Sequence, residues 1–375
     1  MKKLNFSRDR MAESRDIRER WYNGEKTERT PFMFSVPAPV STAWFAANPY
    51  NFEQLNADAD LAVEAQILAI QHQFDTFPDC DYLPCMQLHY MGEGILASLY
   101  GAEQLVVKDD PPFTKGRLFK DIYDTQNMGE LDIDSEWGRK LKEHVMRFVD
   151  ATDGQIPVGP PDYQSPYGTA TKLMPNEDLM LAMYDEPELV HAFLNRVTDG
   201  IIQLLDIVER WVGLDLLARN QSNAIPNKHG LIIWDDYISV VSPALHQEFC
   251  APCNIRLFER FGYGHLHSCG PYFPSYVDSF LACSPRSMDV SIMRGMGKTR
   301  QDMMDLLAIA SERGIRLFGG LDINDVHIFD GNSKKPDDAM IEAFILGGWF
   351  PNAGGTAEEG DVFRAKIKAI DARRG

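Results

Sequence analysis

Short apolar runs alternate with longer helix-patterned segments along almost the whole chain, and no other feature constrains the fold as tightly. Pro31 to Val36, Ile156 to Gly159, Leu214 to Ala218, Ile232 to Asp236, Gly264 to Cys269, Arg286 to Val290, Ile315 to Phe318 and Trp349-Phe350 read as brief strands. Met11 to Gly24, Phe52 to His72, Thr299 to Arg313 and Asp337 to Leu346 read as helices. In Glu186 to Val212, Leu189, Val190, Phe193, Val197, Ile201, Leu204, Leu205 and Val208 recur at helical spacing. Ser242-Pro243 supplies an N-cap and a first helical residue, and Pro252 should kink or restart that helix before Phe261. Strands that alternate with helices pair in parallel, because each crossover needs a helix to cover the sheet. No linker divides the pattern, so residues 1–375 should form one domain, a single (β/α)₈ barrel of the TIM type with an N-terminal helical extension.

Composition narrows the function. The formal net charge of -18 leaves no basic surface for nucleic acid or an anionic membrane. The first residues are polar and charged, and no apolar run approaches membrane-spanning length, so a cytosolic, cytoplasmic protein is expected. Six cysteines without regular spacing do not make a disulfide framework in a chain of 375 residues.

The densest chemistry lies in Gly264-His265-Leu266-His267-Ser268-Cys269-Gly270. On a strand, His265, His267 and Cys269 would share one face. Imidazole nitrogen and thiolate sulfur favour zinc over magnesium or calcium, but two ligands make only half of a zinc site. His267 is therefore a candidate both as a metal ligand and as an acid or base. In a barrel, function sits where strands end. Asp235, Asp236 and Asp322 fall at such ends, the first two as candidate catalytic groups and Asp322 as a candidate substrate contact. His89, in a stretch with Tyr90 and Glu93, is a further candidate for the cleft. Tyr163, Gln164 and Tyr167, in the irregular segment 160–168, can present hydroxyls and an amide to a flat ligand. Lys108 to Phe113, acidic and proline-rich, reads as a surface loop. Cys250 and Cys253 have CxxC spacing, but in a helical segment they read as buried thiols.

Taken in order, several of these pieces form a familiar series. They are Asn23-Gly24-Glu25-Lys26-Thr27-Glu28-Arg29-Thr30-Pro31, Asp162-Tyr163-Gln164-Ser165-Pro166-Tyr167-Gly168, Met183-Tyr184-Asp185-Glu186-Pro187, Trp234-Asp235-Asp236-Tyr237, His267-Ser268-Cys269-Gly270 and Phe318-Gly319-Gly320-Leu321-Asp322. In this the chain resembles the uroporphyrinogen decarboxylase superfamily, and within it the cobalamin-dependent methyltransferases. The resemblance implies a (β/α)₈ barrel with its cleft at the C-terminal ends of the strands. It also implies transfer of a methyl group between a corrinoid, carried by a partner corrinoid protein, and a small thiol or folate acceptor. The decarboxylase branch carries an arginine-containing loop after the first strand, whereas Ser35-Val36-Pro37-Ala38-Pro39-Val40 has none. The methyltransferase branch holds zinc with a His-x-Cys pair, matched by His267 and Cys269, and a later cysteine. Here no cysteine follows Cys283, and Gly347 to Glu359 stands where it would be. Either another donor completes the site, with Glu358 first and Asp322, His265 and Cys283 as other candidates, or zinc is bound weakly or not at all. Two further readings remain: a decarboxylase or lyase of another carboxylated substrate, and a non-catalytic barrel that only binds a corrinoid or tetrapyrrole.

Overall fold

The computed structural model describes residues 4–40, 49–219, 230–262, 264–269, 276–289, 300–318 and 338–374. The strands are β1 (Met33–Ser35), β2 (Gln104–Leu105), β3 (Phe113–Thr114), β4 (Leu231–Trp234), β5 (Gly264–His267), β6 (Ser287–Asp289), β7 (Arg316–Phe318) and β8 (Asn352–Gly354). The fold is α/β with parallel strands. β4, β5, β6 and β7 form a parallel sheet in that order, and β1 pairs in parallel with β8. Parallel bridges join Leu317 to Trp349, Met86 to Val158 and Val158 to Leu217. Two more hydrogen bonds continue the series, Asp81 N–H to the Phe32 carbonyl at 2.8 Å and Ile232 N–H to the Arg219 carbonyl at 3.4 Å. Every residue of β4, Leu-Ile-Ile-Trp, is buried, as a strand covered on both faces requires. β2 and β3 stand apart as a small antiparallel hairpin.

Some expected elements differ. Phe52 to His72 is two helices, Phe52–Ala57 and Ala59–Thr76. Asp58 between them has an extended backbone, and its carboxylate accepts from the Asp60 and Leu61 N–H groups, capping the second helix. The expected strand over Leu214 to Ala218 begins as a 3₁₀ turn, Leu214–Leu216, and only Leu217 bridges. Pro166, expected in a loop, opens a helix through Leu173. The helix after Ser242 does start as expected, with Pro243 in its first turn and the Ser242 hydroxyl accepting from Leu245 N–H at 3.4 Å. Residues His246–Cys250 then form a π turn before Pro252, which sits in the first turn of the next helix, Ala251–Phe261.

The N-terminal helix, Arg8–Tyr22, closes the end of the sheet at which the strands begin. Trp21 and Tyr22 pack with Met33, Phe318 and Phe350. Arg286 and Arg316, at the starts of β6 and β7, lie over the Tyr22 and Trp21 rings at 5.2 and 5.1 Å. The Tyr22 hydroxyl meets Ser287 Oγ at 3.2 Å, and that oxygen lies 2.9 Å from His265 Nδ1. His265 is therefore committed within the core, far from water. The segment after this helix is fixed by the Asp81 carboxylate, which has no exposed surface. Arg29 binds it through both guanidinium nitrogens at 2.6 and 2.7 Å, and the Ser14 hydroxyl and Phe32 N–H each donate at 3.0 Å. The Arg18 guanidinium, also buried, donates to the Asp81 carbonyl at 3.0 Å, and desolvation draws its pKa down to about 10. Among the described residues no helix is long and apolar enough to cross a membrane.

Two outcomes test this packing. Asp81→Ala leaves buried donors and a guanidinium pair without their acceptor, so equilibrium denaturation should show a loss of about 3–5 kcal/mol. His144 is buried, with Nδ1 2.7 Å from the Tyr90 hydroxyl, and burial lowers its pKa from 6.5 to about 4. The fold keeps that imidazole neutral, whereas the unfolded chain protonates it. Stability should therefore fall as pH drops from 6.5 toward 4, by roughly 3 kcal/mol in all. Denaturation midpoints of His144→Asn across that window should lack this component.

Candidate active site

At the opposite end, where the strands finish, β4 and β5 are locked in register. Trp234 lies opposite His267, and Asp235 N–H donates to the His267 carbonyl at 2.8 Å. Ser165 N–H donates to the Trp234 carbonyl at 2.7 Å, bringing the 160–168 segment to the same place. The two acids that follow Trp234 then part. Asp235 turns inward and is fully buried, accepting from the Ser165 hydroxyl at 3.2 Å, His246 Nε2 at 2.9 Å and Asn254 Nδ2 at 2.8 Å. The π turn delivers His246 to this carboxylate. Ser165 Oγ also caps the helix Pro166–Leu173, accepting from Gly168 N–H at 3.1 Å.

Asp236 turns outward into a cleft of about 640 Å³ that also receives His267 and Cys269. Asp236 Oδ1 accepts from Cys269 N–H at 2.6 Å, and His267 Nε2 lies 3.3 Å from Cys269 Sγ. One ligand atom from each of the three side chains lies within 4.8 Å of the others. Ligand atoms at 2.0–2.3 Å around a tetrahedral zinc stand roughly 3.3–3.8 Å apart; the 3.3 Å between His267 Nε2 and Cys269 Sγ meets that spacing, and Asp236 offers an oxygen donor within 4.8 Å of both. Three protein ligands would leave a fourth position open, as in catalytic zinc sites.

The far wall is built from Asp162, Gln164 and His89. His89 Nδ1 is 3.9 Å from Asp162 Oδ2, and Gln164 Nε2 donates to Asp162 Oδ1 at 3.2 Å. Desolvation opposes the Asp162 charge, but His89 and Gln164 outweigh it and hold that carboxyl below the usual range. Gln164 has a φ of 55°, a left-handed backbone unusual for its type. Glu93, also on the wall, is neutralised from behind by an ion pair with Lys172. Gln87, Gly92, Trp234 and the rim segment Asp110, Pro111, Pro112 and Phe113 also line the cleft.

Of the residues singled out in the sequence, His89, Gln164, Asp236, His267 and Cys269 come together here. Tyr163 and Tyr167 do not reach the cleft. Both are buried, the first donating its hydroxyl to the Ile232 carbonyl and the second to Asn176 Oδ1 at 2.9 Å. Asp235 supports the site from behind instead of lining it. Glu358 is exposed in the first turn of the helix Ala357–Arg374 and belongs neither to the cleft lining nor to the three-residue cluster, in which Asp236 is the third group. Cys283 is buried against Ser279 and Asn254, and Asp322 lies outside the described residues. Cys250 and Cys253 are buried free thiols whose pKa values desolvation raises, so the CxxC spacing builds no reactive pair. The rim segment, read as surface loop, is part of the cleft. Gly92 brings it there: a Cβ at that position would stand 1.9 Å from the Pro112 carbonyl oxygen. Asp162 stands two residues before Gln164, and that i, i+2 pairing is the signal by which the sequence could point to it.

Residues 14–210 match the family model described as uroporphyrinogen decarboxylase (URO-D), which is more than half of the chain. The chain belongs to the uroporphyrinogen decarboxylase family. The matched segment contains His89, Asp162 and Gln164 and ends before Asp236, His267 and Cys269, so the three-ligand cluster stands on geometry. No curated protein sequence matches the chain. Among solved structures, a methyltransferase from Methanosarcina mazei superposes with a TM-score of 0.63 at 13% identity, over 95% of this chain and 98% of that one. At that identity the likeness is one of fold, and it extends beyond the URO-D segment to nearly the whole chain.

The neighbouring acids of this URO-D family member should differ in how much their removal costs. Asp235→Ala strands the buried His246 and Asn254 donors and should destabilise the protein by about 3 kcal/mol or more. Asp236→Ala removes a half-buried carboxylate and should cost roughly 1 kcal/mol. Urea denaturation of both variants measures the contrast.

Proposed function

We propose that this URO-D family member is a corrinoid-dependent methyltransferase, moving a methyl group between a corrinoid carried by a partner protein and a small acceptor. The convergence of Asp236, His267 and Cys269 within 4.8 Å carries the reading. We also propose that the parallel strands close into the (β/α)₈ barrel typical of the family, which the bridges from β1 round to β8 favour. Asp236, His267 and Cys269 would hold zinc, with Asp236 in the role that a later cysteine plays in the family's methyltransferase branch. Bound there, zinc supplies the Lewis acidity that keeps a thiol acceptor ionised.

The other wall serves the acceptor. Asp162 orients the His89 imidazole, and this pair is placed to hold and return a proton when the acceptor is a nitrogen base. Gln164 fixes Asp162 from its other oxygen. Asp235, through its backbone bond to the strand bearing His267, sets the spacing of the ligand groups. Decarboxylation of a polycarboxylate finds little support, because no arginine or lysine is among the described residues lining the cleft.

The test is metal content and methyl transfer in the same preparations. Wild type purified without chelator should contain about one zinc per chain, and Asp236→Ala, His267→Ala and Cys269→Ala should each lose most of it. Wild type should demethylate a methylated corrinoid protein when given an acceptor, and the variants should fall by at least about a hundredfold. A zinc-free, inactive wild type would overturn the proposal.

A further inference from the structure

A second cavity, of about 360 Å³, lies at the end of the sheet where the strands begin, away from the cleft. Its walls include the segment 24–30, Trp21, Arg316 at the start of β7, and Asp371. Arg316 is held in place from several sides. Its guanidinium lies 5.1 Å from the centre of the Trp21 ring, and its Nε donates to the Tyr22 carbonyl at 3.4 Å. Two glycines make room for the terminal nitrogens. A Cβ at Gly24 would stand 2.9 Å from one of them, and a Cβ at Gly348 would stand 2.9 Å from the other. Both glycines have left-handed φ values, 83° and 94°, so a larger residue at either would add backbone strain to the clash.

The acids on the same walls already have partners. Glu28 pairs with Arg20 at 3.0 Å, and Glu25 lies 3.8 Å from the same guanidinium. Asp371 accepts from the Thr30 N–H and hydroxyl at 2.9 and 2.5 Å. Arg29, also on the wall, is bound to Asp81. Two cations remain, Arg316 and Lys26, and among the described residues neither has a carboxylate partner. Burial, and then repulsion from the nearby Arg286, draw the Arg316 pKa below the usual arginine range. A half-buried guanidinium without a counter-charge is unfavourable, and its fork of N–H donors matches the oxygens of an oxyanion. The cavity is larger than a bare oxyanion fills, and Ile345 and Leu346 give it an apolar side.

From this arrangement we infer that the cavity binds a small phosphomonoester, its phosphate gripped by the two terminal nitrogens of Arg316 and by the Lys26 ammonium. The organic group lies toward Ile345 and Leu346. Such a ligand bridges the segment after the N-terminal helix, β7 and the end of the helix Asp338–Leu346, so it stabilises this end of the molecule against unfolding. The inference does not depend on the reaction in the cleft.

Thermal unfolding of the full-length wild type is followed as inorganic phosphate or phenyl phosphate replaces chloride at constant ionic strength. Both should raise the midpoint saturably, phenyl phosphate at the lower concentration. Calorimetric titration of phenyl phosphate into Arg316→Met should show affinity at least about tenfold weaker, the worth of a charged hydrogen-bonded pair. Lys26→Gln, a change at an exposed side chain, should weaken it severalfold, and Cys269→Ala in the cleft should leave it unchanged. The absence of a saturable shift in the wild type would overturn the inference, as would a shift lost in Cys269→Ala and kept in Arg316→Met. Inorganic phosphate acting at equal or lower concentration would assign the cavity to the free ion and overturn the ester. Should Arg316→Met fail to fold, Lys26→Gln decides, since undiminished affinity there sinks the assignment.

Discussion

A carboxylate with no access to water, Asp235, determines how the functional end of the sheet is put together. An ion in that position is tolerable only when every lone pair finds a donor. The donors come from three directions: the Ser165 hydroxyl at a helix start, His246 from a π turn and Asn254 from the following helix. Meeting the needs of one buried charge thus draws together segments nearly ninety positions apart in the chain. The same residue uses its backbone N–H to hold the strand that carries His267. The outward direction of Asp236 follows, because successive residues cannot both face inward at a strand end.

The two ends of the strands are finished in different ways. Where the strands begin, the aromatic rings of the N-terminal helix and the arginines at the starts of β6 and β7 fill the space, and His265 is absorbed into a bond with Ser287. Where they finish, acids and imidazoles remain partly open to a cleft. His265 and His267 share a strand and a face and differ in fate because they sit at different depths.

The sequence made the alternation of strands and helices legible, and with it the parallel sheet, because burial on both faces leaves uninterrupted apolar runs such as Leu231 to Trp234. Ser242 and Pro243 announced a helix start through purely local chemistry, and the structure agrees. His267, Cys269 and Asp236 could be selected as strand-end residues for the same reason. Glu358 could not be judged in that way, since its distance from the cluster depends on how a distant helix docks. Tyr163 and Tyr167 show the limit from the other side. A tyrosine in a loop offers a hydroxyl, but whether a ligand or a backbone carbonyl takes it is decided by packing that sequence spacing does not encode. The helix break at Asp58 was written in the chain as a capping residue, hidden by apolar periodicity on either side.

The contact between Gly92 and Pro112 has a consequence for how this cleft can vary. Its rim is seated main chain against main chain, with no side chain interposed, so exchanges at Asp110, Pro111 or Phe113 can repaint the mouth while its height above the floor stays constant. The breadth of molecules admitted is tunable there, residue by residue. The depth to which they enter is anchored by a single missing methyl group.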